Sequence, residues 1–125
     1  MLAFVKTDIG LVREVNEDHY AFQPPNLFVV ADGMGGHVAG EIASKLAINT
    51  IVEYVHNQFD GEYIQKMLEN AVQLANQHIY EQSQQGRQYL GMGTTVTACY
   101  IAGTTIFWAH VGDSRMYILS DAVLR

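Results

Sequence analysis

An aspartate at the end of an apolar run is the first feature of the sequence that could do chemistry. The apolar run at residues 27–31 stops at Asp32-Gly33, and Gly35-Gly36 follow closely. An aspartate at the end of a buried strand would be held rigidly, and Gly33 would let its carbonyl turn toward the same ligand. Carboxylate and carbonyl oxygens suit Mg²⁺ or Mn²⁺. The alternative is a simple turn in which Asp32 hydrogen-bonds backbone amides, the commoner role of an isolated Asp-Gly pair.

A second charged segment precedes this run, at residues 10–18. It places Arg13 among three acids, Glu14, Glu17 and Asp18. Arg13 could bind a phosphate group through two parallel hydrogen bonds, and Asp18 could join a metal shell. The alternative is a solvated surface loop with a local ion pair, which contributes little to stability.

The third segment, at residues 110–115, contains Gly112-Asp113-Ser114, which is also ordinary hairpin-turn chemistry. The GxSxG pattern that exposes a nucleophilic serine is missing from the sequence, so covalent catalysis at Ser114 is not expected. The glycine-rich loop after Asp32 lacks the Lys-Ser/Thr of a P-loop, which makes nucleotide binding a weak hypothesis.

The histidines and the single cysteine, Cys99, offer fewer candidates. His37 lies beside the glycine-rich loop and is the one histidine that we would test for catalysis. His78 falls on the apolar face of a predicted helix and is expected to be a core residue with a hydrogen-bond partner, and His56 is expected at the surface. Cys99 lies in an apolar run, which predicts a buried thiol. Zinc is not expected without HExxH or paired cysteines.

The elements that must position these residues are predicted from hydrophobic periodicity. Residues 2–7 and 19–23 are predicted strands, and Pro24-Pro25-Asn26 is a turn signal. The continuous apolar run at 27–31 predicts a strand buried on both faces. Three further strands are predicted at 94–101, 105–111 and 115–119.

Two amphipathic helices are predicted between these strands. Apolar residues recur every three or four positions from Ala43 to Phe59 and again from Ile64 to Gln82, with Gly86 as the expected stop of the second helix. Each helix needs a flat apolar surface, which the strands supply. The sequence therefore predicts an α+β fold with antiparallel strands covered by a helix pair.

Net charge and the N-terminus exclude several function classes. The chain has 125 residues, with 7 Lys plus Arg against 13 Asp plus Glu. It has no basic cluster, so we expect no nucleic-acid partner. The N-terminus shows no signal-peptide pattern and no apolar run reaches membrane-spanning length, so we expect a cytoplasmic protein without membrane contact.

Four segments, taken together and in order, resemble the serial motifs of the metal-dependent, type 2C serine/threonine protein phosphatases. The residues within these motifs resemble those of the bacterial branch of the family. Each segment alone is a weak signal, whereas four in order at sensible spacing are specific. The segments are Arg13 with Asn16-Glu17-Asp18, residues 30–37 with Gly40-Glu41, residues 91–95, and residues 111–115.

The resemblance implies an α-β-β-α sandwich, of which this chain would hold half, and a site with two or more Mn²⁺ or Mg²⁺ ions. Carried over, Asp32 would bridge two metals, Gly33 would offer its carbonyl, and Asp18 would contact a metal directly or through water. Arg13 would bind the substrate phosphate, and Asp113 would help to hold a third, weaker metal. The implied reaction is hydrolysis of phosphoserine or phosphothreonine by metal-activated water.

The sequence departs from the family pattern in two ways. Animal relatives carry a histidine where this chain has Met34, which leaves the general acid unassigned. Family members also continue past Arg125 and supply two further metal-binding aspartates, and Asp121 is not expected to replace them. We therefore expect residues 1–125 to be the N-terminal portion of a single phosphatase domain, with exposed sheet edges that favour self-association.

The resemblance also implies phosphoprotein substrates and a serine/threonine kinase counterpart. The alternative function is that of a catalytically incomplete fragment that only binds phosphoproteins or partner chains. Metal-dependent turnover would distinguish the two.

Overall fold

The computed structural model describes residues 1–36, 38–58 and 63–125. Two long helices, α1 (Ala39–Gln58) and α2 (Ile64–Ser83), are followed by a short 3₁₀ helix, Arg87–Tyr89. The strands in chain order are β1 (Asp18–Gln23), β2 (Leu27–Met34), β3 (Gly93–Thr94), β4 (Val96–Ala102), β5 (Thr105–Val111), β6 (Leu119–Ser120) and β7 (Val123–Leu124).

The main sheet is antiparallel throughout and runs in the order β1-β2-β4-β5. The short strand β3 extends the pairing of β2 at its far end, where Gly33 lies opposite Thr94. A separate hairpin is formed by β6 and β7. The predicted fold class, α+β with antiparallel strands and a helix pair, is confirmed, and the chain holds one helical layer on one main sheet.

The hydrophobic core lies between the two helices and one face of this sheet. Small residues at Ala43 and Ala47 let α1 approach the strands closely, and both are fully buried. Ile51 of α1 and Leu68 of α2 are the largest side chains there with no exposed surface. Burial of this apolar layer is the main favourable contribution to folding. The strand residues that face it are Leu27, Val29, Ala31, Val96, Ala98 and Tyr100.

The opposite face of the sheet is not covered by a helix among the described residues. On β2, Leu27 and Val29 are buried, whereas Val30 is 46% exposed. The prediction that residues 27–31 form a strand buried on both faces is therefore wrong, because the helices cover only one face. Cys99 also lies on this side, opposite Trp108 of β5, and is half-buried rather than buried as predicted.

Two predicted strands differ in the structure. Residues 2–7 form no strand, and most of their apolar side chains are exposed. The strand predicted at 115–119 is confined to Leu119–Ser120, which pairs with Val123–Leu124. In both cases local β-propensity is not enough, because a strand needs a neighbour to pair with.

The predicted helices are confirmed with small shifts at their ends. The first begins at Ala39 and the second ends at Ser83, before the expected stop at Gly86. Phe59, expected to close the first helix, lies outside the described residues. Neither helix, nor any other helix in the described part of the chain, is long and apolar enough to cross a membrane.

Candidate functional site

The carboxylates of Asp18 and Asp32 lie side by side at one end of the sheet. Asp18 begins β1 and is the direct cross-strand neighbour of Asp32 on β2. Side chains of directly opposed residues lie on the same face of an antiparallel pair, so both carboxylates point away from the helices. The structure extends β2 through Asp32 to Met34, so Asp32 belongs to the strand and not to the turn after it.

The crowding of these two acids shows in the pKa of Asp18. Partial burial raises the pKa of the Asp18 carboxyl, and the charge of Asp32 and a hydrogen bond to it raise the pKa further, while Arg13 lowers it. Two carboxylates on directly opposed residues repel each other when both are charged, and a cation between them would relieve the repulsion. The pair is thus suited to a positively charged ligand.

Gly33 is required by close packing against the start of α1. A Cβ atom on Gly33 would lie 1.9 Å from the Gly40 carbonyl oxygen and 2.8 Å from the carbonyl oxygen of Glu17. The Gly33 N–H donates to that same Glu17 oxygen at 3.0 Å. The sequence interpretation invoked a freely turning backbone, whereas the structure assigns this glycine to the contact between a strand and a helix.

Arg13 reaches the site from the loop before β1. Its Nη1 donates to Oε2 of Glu17 at 2.9 Å. The two partners differ in exposure, since the Arg13 side chain is 72% exposed and that of Glu17 is 9% exposed. The alternative of a solvated surface loop with a local ion pair agrees with the exposure of Arg13 and with the ion pair itself. It does not agree with Glu17, because the carboxylate that anchors the guanidinium is nearly buried.

Asp113 is brought to the site by a hydrogen-bonded connection through Thr95. The Asp32 N–H donates to Thr95 Oγ1 at 3.1 Å, and the Thr95 N–H donates to the Asp32 carbonyl at 2.9 Å. Thr95 Oγ1 also lies 2.6 Å from Ser114 Oγ. Gly112 has a φ of +103°, and a Cβ there would contact the Thr95 side chain at 2.7 Å. The turn that carries Asp113 is therefore held against the end of β2.

These contacts form an open cleft of about 700 Å³ at the end of the sheet. Four of the predicted site residues line it: Arg13, Asp32, Gly33 and Asp113. The fifth, Asp18, lines the adjoining cavity of about 420 Å³, which shares Asp32 with the cleft. The structure thus brings the five predicted residues to one end of the sheet, with Asp32 at the boundary between the two spaces.

The oxygen donors present are of the chemical type that a hard divalent cation prefers. Asp18 and Asp32 offer carboxylates next to Gly33, which matches the ligands of Mg²⁺ and Mn²⁺. Within residues 1–36, 38–58 and 63–125, no group of three or more His, Cys, Asp or Glu side chains could hold a metal ion. Mg²⁺ commonly binds one or two carboxylates and keeps several waters, so the donors fit such an ion with its remaining positions left to water or phosphate.

Three histidine predictions can be compared with the structure only in part. His37 lies outside the described residues. His78 is half-buried, and its Nδ1 lies 3.1 Å from Thr50 Oγ1 of the other helix, as expected for a core histidine with a partner. His56 is exposed, as predicted.

Two residues of the site received no role from the sequence. Glu17 appeared as one acid of a charged loop and as part of a resembling segment, and Thr95 as part of another, but neither was given a task. Their importance lies in contacts with distant parts of the chain, which sequence spacing does not reveal. The one available signal was the adjacency of Glu17 to Asp18 and of Thr95 to a glycine-rich segment.

The fold and the arrangement of this site match one protein family. The family model described as Protein phosphatase 2C matches residues 12–125. The chain therefore belongs to the protein phosphatase 2C family, as the four sequence segments predicted.

Individual relatives support the assignment. The chain is 41% identical to the serine/threonine protein phosphatase PstP of Mycobacterium tuberculosis over 119 residues, which is 95% of this chain and 23% of that protein. It is 37% identical to the serine/threonine phosphatase stp of Listeria monocytogenes over 134 aligned positions, which is 100% of this chain and 52% of that protein. The chain thus spans about half, or less, of the length of these relatives.

Solved structures give the same result. The crystal structure of the M. tuberculosis phosphatase PstP/Ppp superposes with a TM-score of 0.87 at 40% identity, covering 96% of this chain and 50% of that one. The catalytic domain of PstP in complex with two manganese ions superposes with a TM-score of 0.85 at 39% identity, covering 95% and 51%.

Proposed function

We propose that this chain forms the metal- and phosphate-binding part of a serine/threonine protein phosphatase that hydrolyses phosphoserine and phosphothreonine. One observation carries the proposal. The cross-strand pair Asp18 and Asp32 lies at the end of the sheet with Arg13 at the same end, so a cation site adjoins an anion site. A phosphate ester needs both, since its charge must be neutralised and its position fixed.

Each residue has a separate task in this proposal. Asp32 holds divalent ions through its carboxylate, with Gly33 offering a carbonyl beside it, and Asp18 holds an ion directly or through water. Arg13 binds the substrate phosphate, since a guanidinium matches the geometry of phosphate oxygens. Asp113, on the turn fixed by Thr95, helps to hold a further, weaker ion.

Bound Mn²⁺ or Mg²⁺ would lower the pKa of water and offset charge on the phosphoryl oxygens. Support for manganese comes from the relative PstP, whose catalytic domain was crystallised with two manganese ions. The chain's own groups orient the phosphate so that water attacks in line with the leaving oxygen. This reaction needs no nucleophilic side chain, which agrees with the missing GxSxG pattern.

The natural substrates in this proposal are phosphoproteins that a serine/threonine kinase has modified, and the chain acts on them in the cytoplasm. The support is the similarity to relatives that are named serine/threonine phosphatases. The net charge of −6 adds no basic surface that would favour nucleic acid instead.

The test is Mn²⁺-dependent hydrolysis of p-nitrophenyl phosphate and of a phosphothreonine peptide by the purified chain. Turnover that requires metal and is lost in Asp32→Asn supports the proposal. If no turnover is found, calorimetric titration with Mn²⁺ decides whether the cation site exists. Binding that is abolished by Asp32→Asn keeps the metal role, whereas equal binding by both proteins refutes it.

A further inference from the structure

Glu17 is a nearly buried carboxylate among the residues that line the cleft, and it has no assigned role. Its side chain is 9% exposed, while the other acids of the same loop and cleft, such as Glu14 and Asp32, are exposed. A carboxylate that loses most of its water needs a compensating partner. That partner is the Arg13 guanidinium at 2.9 Å.

The backbone of Glu17 is fixed by contacts from two different elements. Its carbonyl oxygen accepts the N–H of Gly33 on β2 at 3.0 Å. The same oxygen accepts the hydroxyl of Ser44 on α1 at 2.5 Å, and Ser44 is fully buried. Glu17 is therefore held where the first strand, the second strand and the first helix meet.

The side chain of Glu17 is confined as well. A Cβ atom on Gly40 would lie 2.6 Å from Glu17 Oε1 and 2.8 Å from Cδ. Because Gly40 has no side chain, the carboxylate fits against the first turn of α1 with Oε1 on the helix side. Oε2 is then left to meet Arg13. Both ends of the residue are thus placed by packing and not by Arg13 itself.

We propose that Glu17 is a positioning residue that orders the Arg13 guanidinium for phosphate binding. The proposal rests on the function proposed above, since it takes Arg13 as the phosphate ligand. The ion pair uses one Nη1 donor of a guanidinium that has five N–H groups. Among the described residues no other side chain accepts from Arg13, which leaves its other donors to phosphate oxygens. An exposed arginine that is already ordered loses less conformational entropy when it binds.

The opposite effect of Glu17 must also be weighed, because its negative charge repels phosphate. Arg13 is 72% exposed, so water and salt screen that repulsion. Ordering of a long, flexible side chain is not screened. We therefore expect removal of the Glu17 charge to weaken phosphate binding and not to strengthen it.

The first measurement is ¹⁵N NMR of the arginine side chains in the Mg²⁺-loaded chain, with Glu17→Gln and Glu17→Ala as variants. In the native chain the Arg13 Nη and Nε protons should exchange slowly, and both variants should speed that exchange. Glu14→Gln is the matched control, since it removes the same charge from an exposed neighbour in the same cleft. Unchanged Arg13 exchange in a folded Glu17→Ala variant would overturn the proposal.

The second measurement is titration of these proteins with inorganic phosphate, followed through the Arg13 signals. Glu17→Gln should raise the Kd about three- to tenfold, and Glu14→Gln should leave it within about twofold. Faster exchange of Arg13 without weaker phosphate binding would make the pair merely structural and refute positioning. If phosphate leaves the Arg13 signals of the native chain unchanged, the proposed function fails first, which is a distinct result.

A third readout separates positioning from direct metal binding by Glu17. The Mn²⁺ affinity of Glu17→Gln should match that of Glu14→Gln, because Glu17 faces Arg13 and Gly40. A selective loss of Mn²⁺ affinity in Glu17→Gln would assign the carboxylate to the metal and overturn the proposal. In preparations with turnover, Glu17→Gln should raise KM for p-nitrophenyl phosphate more than it lowers kcat.

Discussion

The two faces of the main sheet are made by the same strands, yet they have different surroundings. One face packs on α1 and α2 and is closed by alanine, valine, isoleucine and leucine side chains. The other carries half-exposed apolar residues, including Val30, Ile106 and Trp108, and ends at the Asp18–Asp32 pair. Alternation along a strand separates the two faces, since neighbouring residues point into the core on one side and toward the candidate site on the other.

The comparison also shows how the site depends on the core. Asp32 follows Ala31, which is buried under the helices, so the packing of Ala31 helps to fix the backbone that carries the Asp32 carboxylate. Gly33 and Gly40 then bring the first helix against the end of that strand. The position of the candidate site at the end of the sheet therefore depends on packing at the opposite face.

The largest expected effect comes from truncating one isoleucine on each side of the sheet, Ile51 of α1 in the core and Ile106 of β5 on the partly open face. Ile51→Ala, at a fully buried position, should lower the free energy of unfolding by about 2–5 kcal/mol because it leaves a cavity. Ile106→Ala, at a position 46% exposed on the other face, should cost less than about 1 kcal/mol. Urea denaturation of both variants measures the difference. Equal costs would show that the second face is covered in solution.

A second prediction concerns the carboxylate at the end of β2. Asp32→Asn should reduce Mn²⁺-dependent turnover at least about a hundredfold, because the amide cannot hold a cation as a carboxylate does. Its thermal stability should change little, since the side chain is exposed. Asp121→Asn, in the exposed β6–β7 turn, is the control and should retain activity. Comparable losses in both variants would contradict the assignment.

A smaller effect is expected from the hydroxyl that joins β1 to α1. Ser44 Oγ donates to the Glu17 carbonyl and lies 2.8 Å from His19 Nδ1. Its removal leaves that carbonyl with the Gly33 N–H alone and takes a hydrogen-bond partner from the partly buried His19 ring. Ser44→Ala should cost about 1–3 kcal/mol of unfolding free energy. Ser83→Ala removes an exposed hydroxyl bonded to the Tyr80 carbonyl and should cost less than about 0.5 kcal/mol. If both cost the same, burial of Ser44 is not decisive.

The smallest effect concerns Cys99 on the partly open face. Burial raises the pKa of the Cys99 thiol, so less of it is thiolate at a given pH than in an unfolded peptide. Its alkylation by iodoacetamide at about pH 8 should be slower in the folded chain than in urea and should accelerate as the pH rises further. Equal rates in the two states would show that this face leaves Cys99 fully accessible.

Much of the fold was predictable because its signals are local. The periodic apolar residues from Ala43 onward and from Ile64 onward predict the two helices, whose packing on a sheet the structure confirms. The antiparallel pairing of β4 with β5 follows from a turn between two β-rich runs. The strand predicted at residues 2–7 was wrong, because pairing requires a neighbouring strand that local sequence does not specify.

The candidate site was predictable to a different extent. Asp32 and Gly33 stand out because they end an apolar run. Arg13, Asp18 and Asp113 were predicted as site residues from the order of the four resembling segments. Their meeting at one end of the sheet is a structural finding, whereas their chemical roles stay predictions. Glu17 and Thr95 were missed, since each acts through contacts with residues far along the chain, such as Gly40 and Ser114.

The sequence by itself therefore determined the fold class, the helices, most strands and the family. These depend on residue type, on periodicity and on motif order, all of which are written along the chain. Only the tertiary structure decided which face of the sheet is buried, why Gly33 and Gly40 must be glycine, and which acid holds Arg13. Those properties depend on which distant residues come within a few ångströms of one another, and that distance is set by packing.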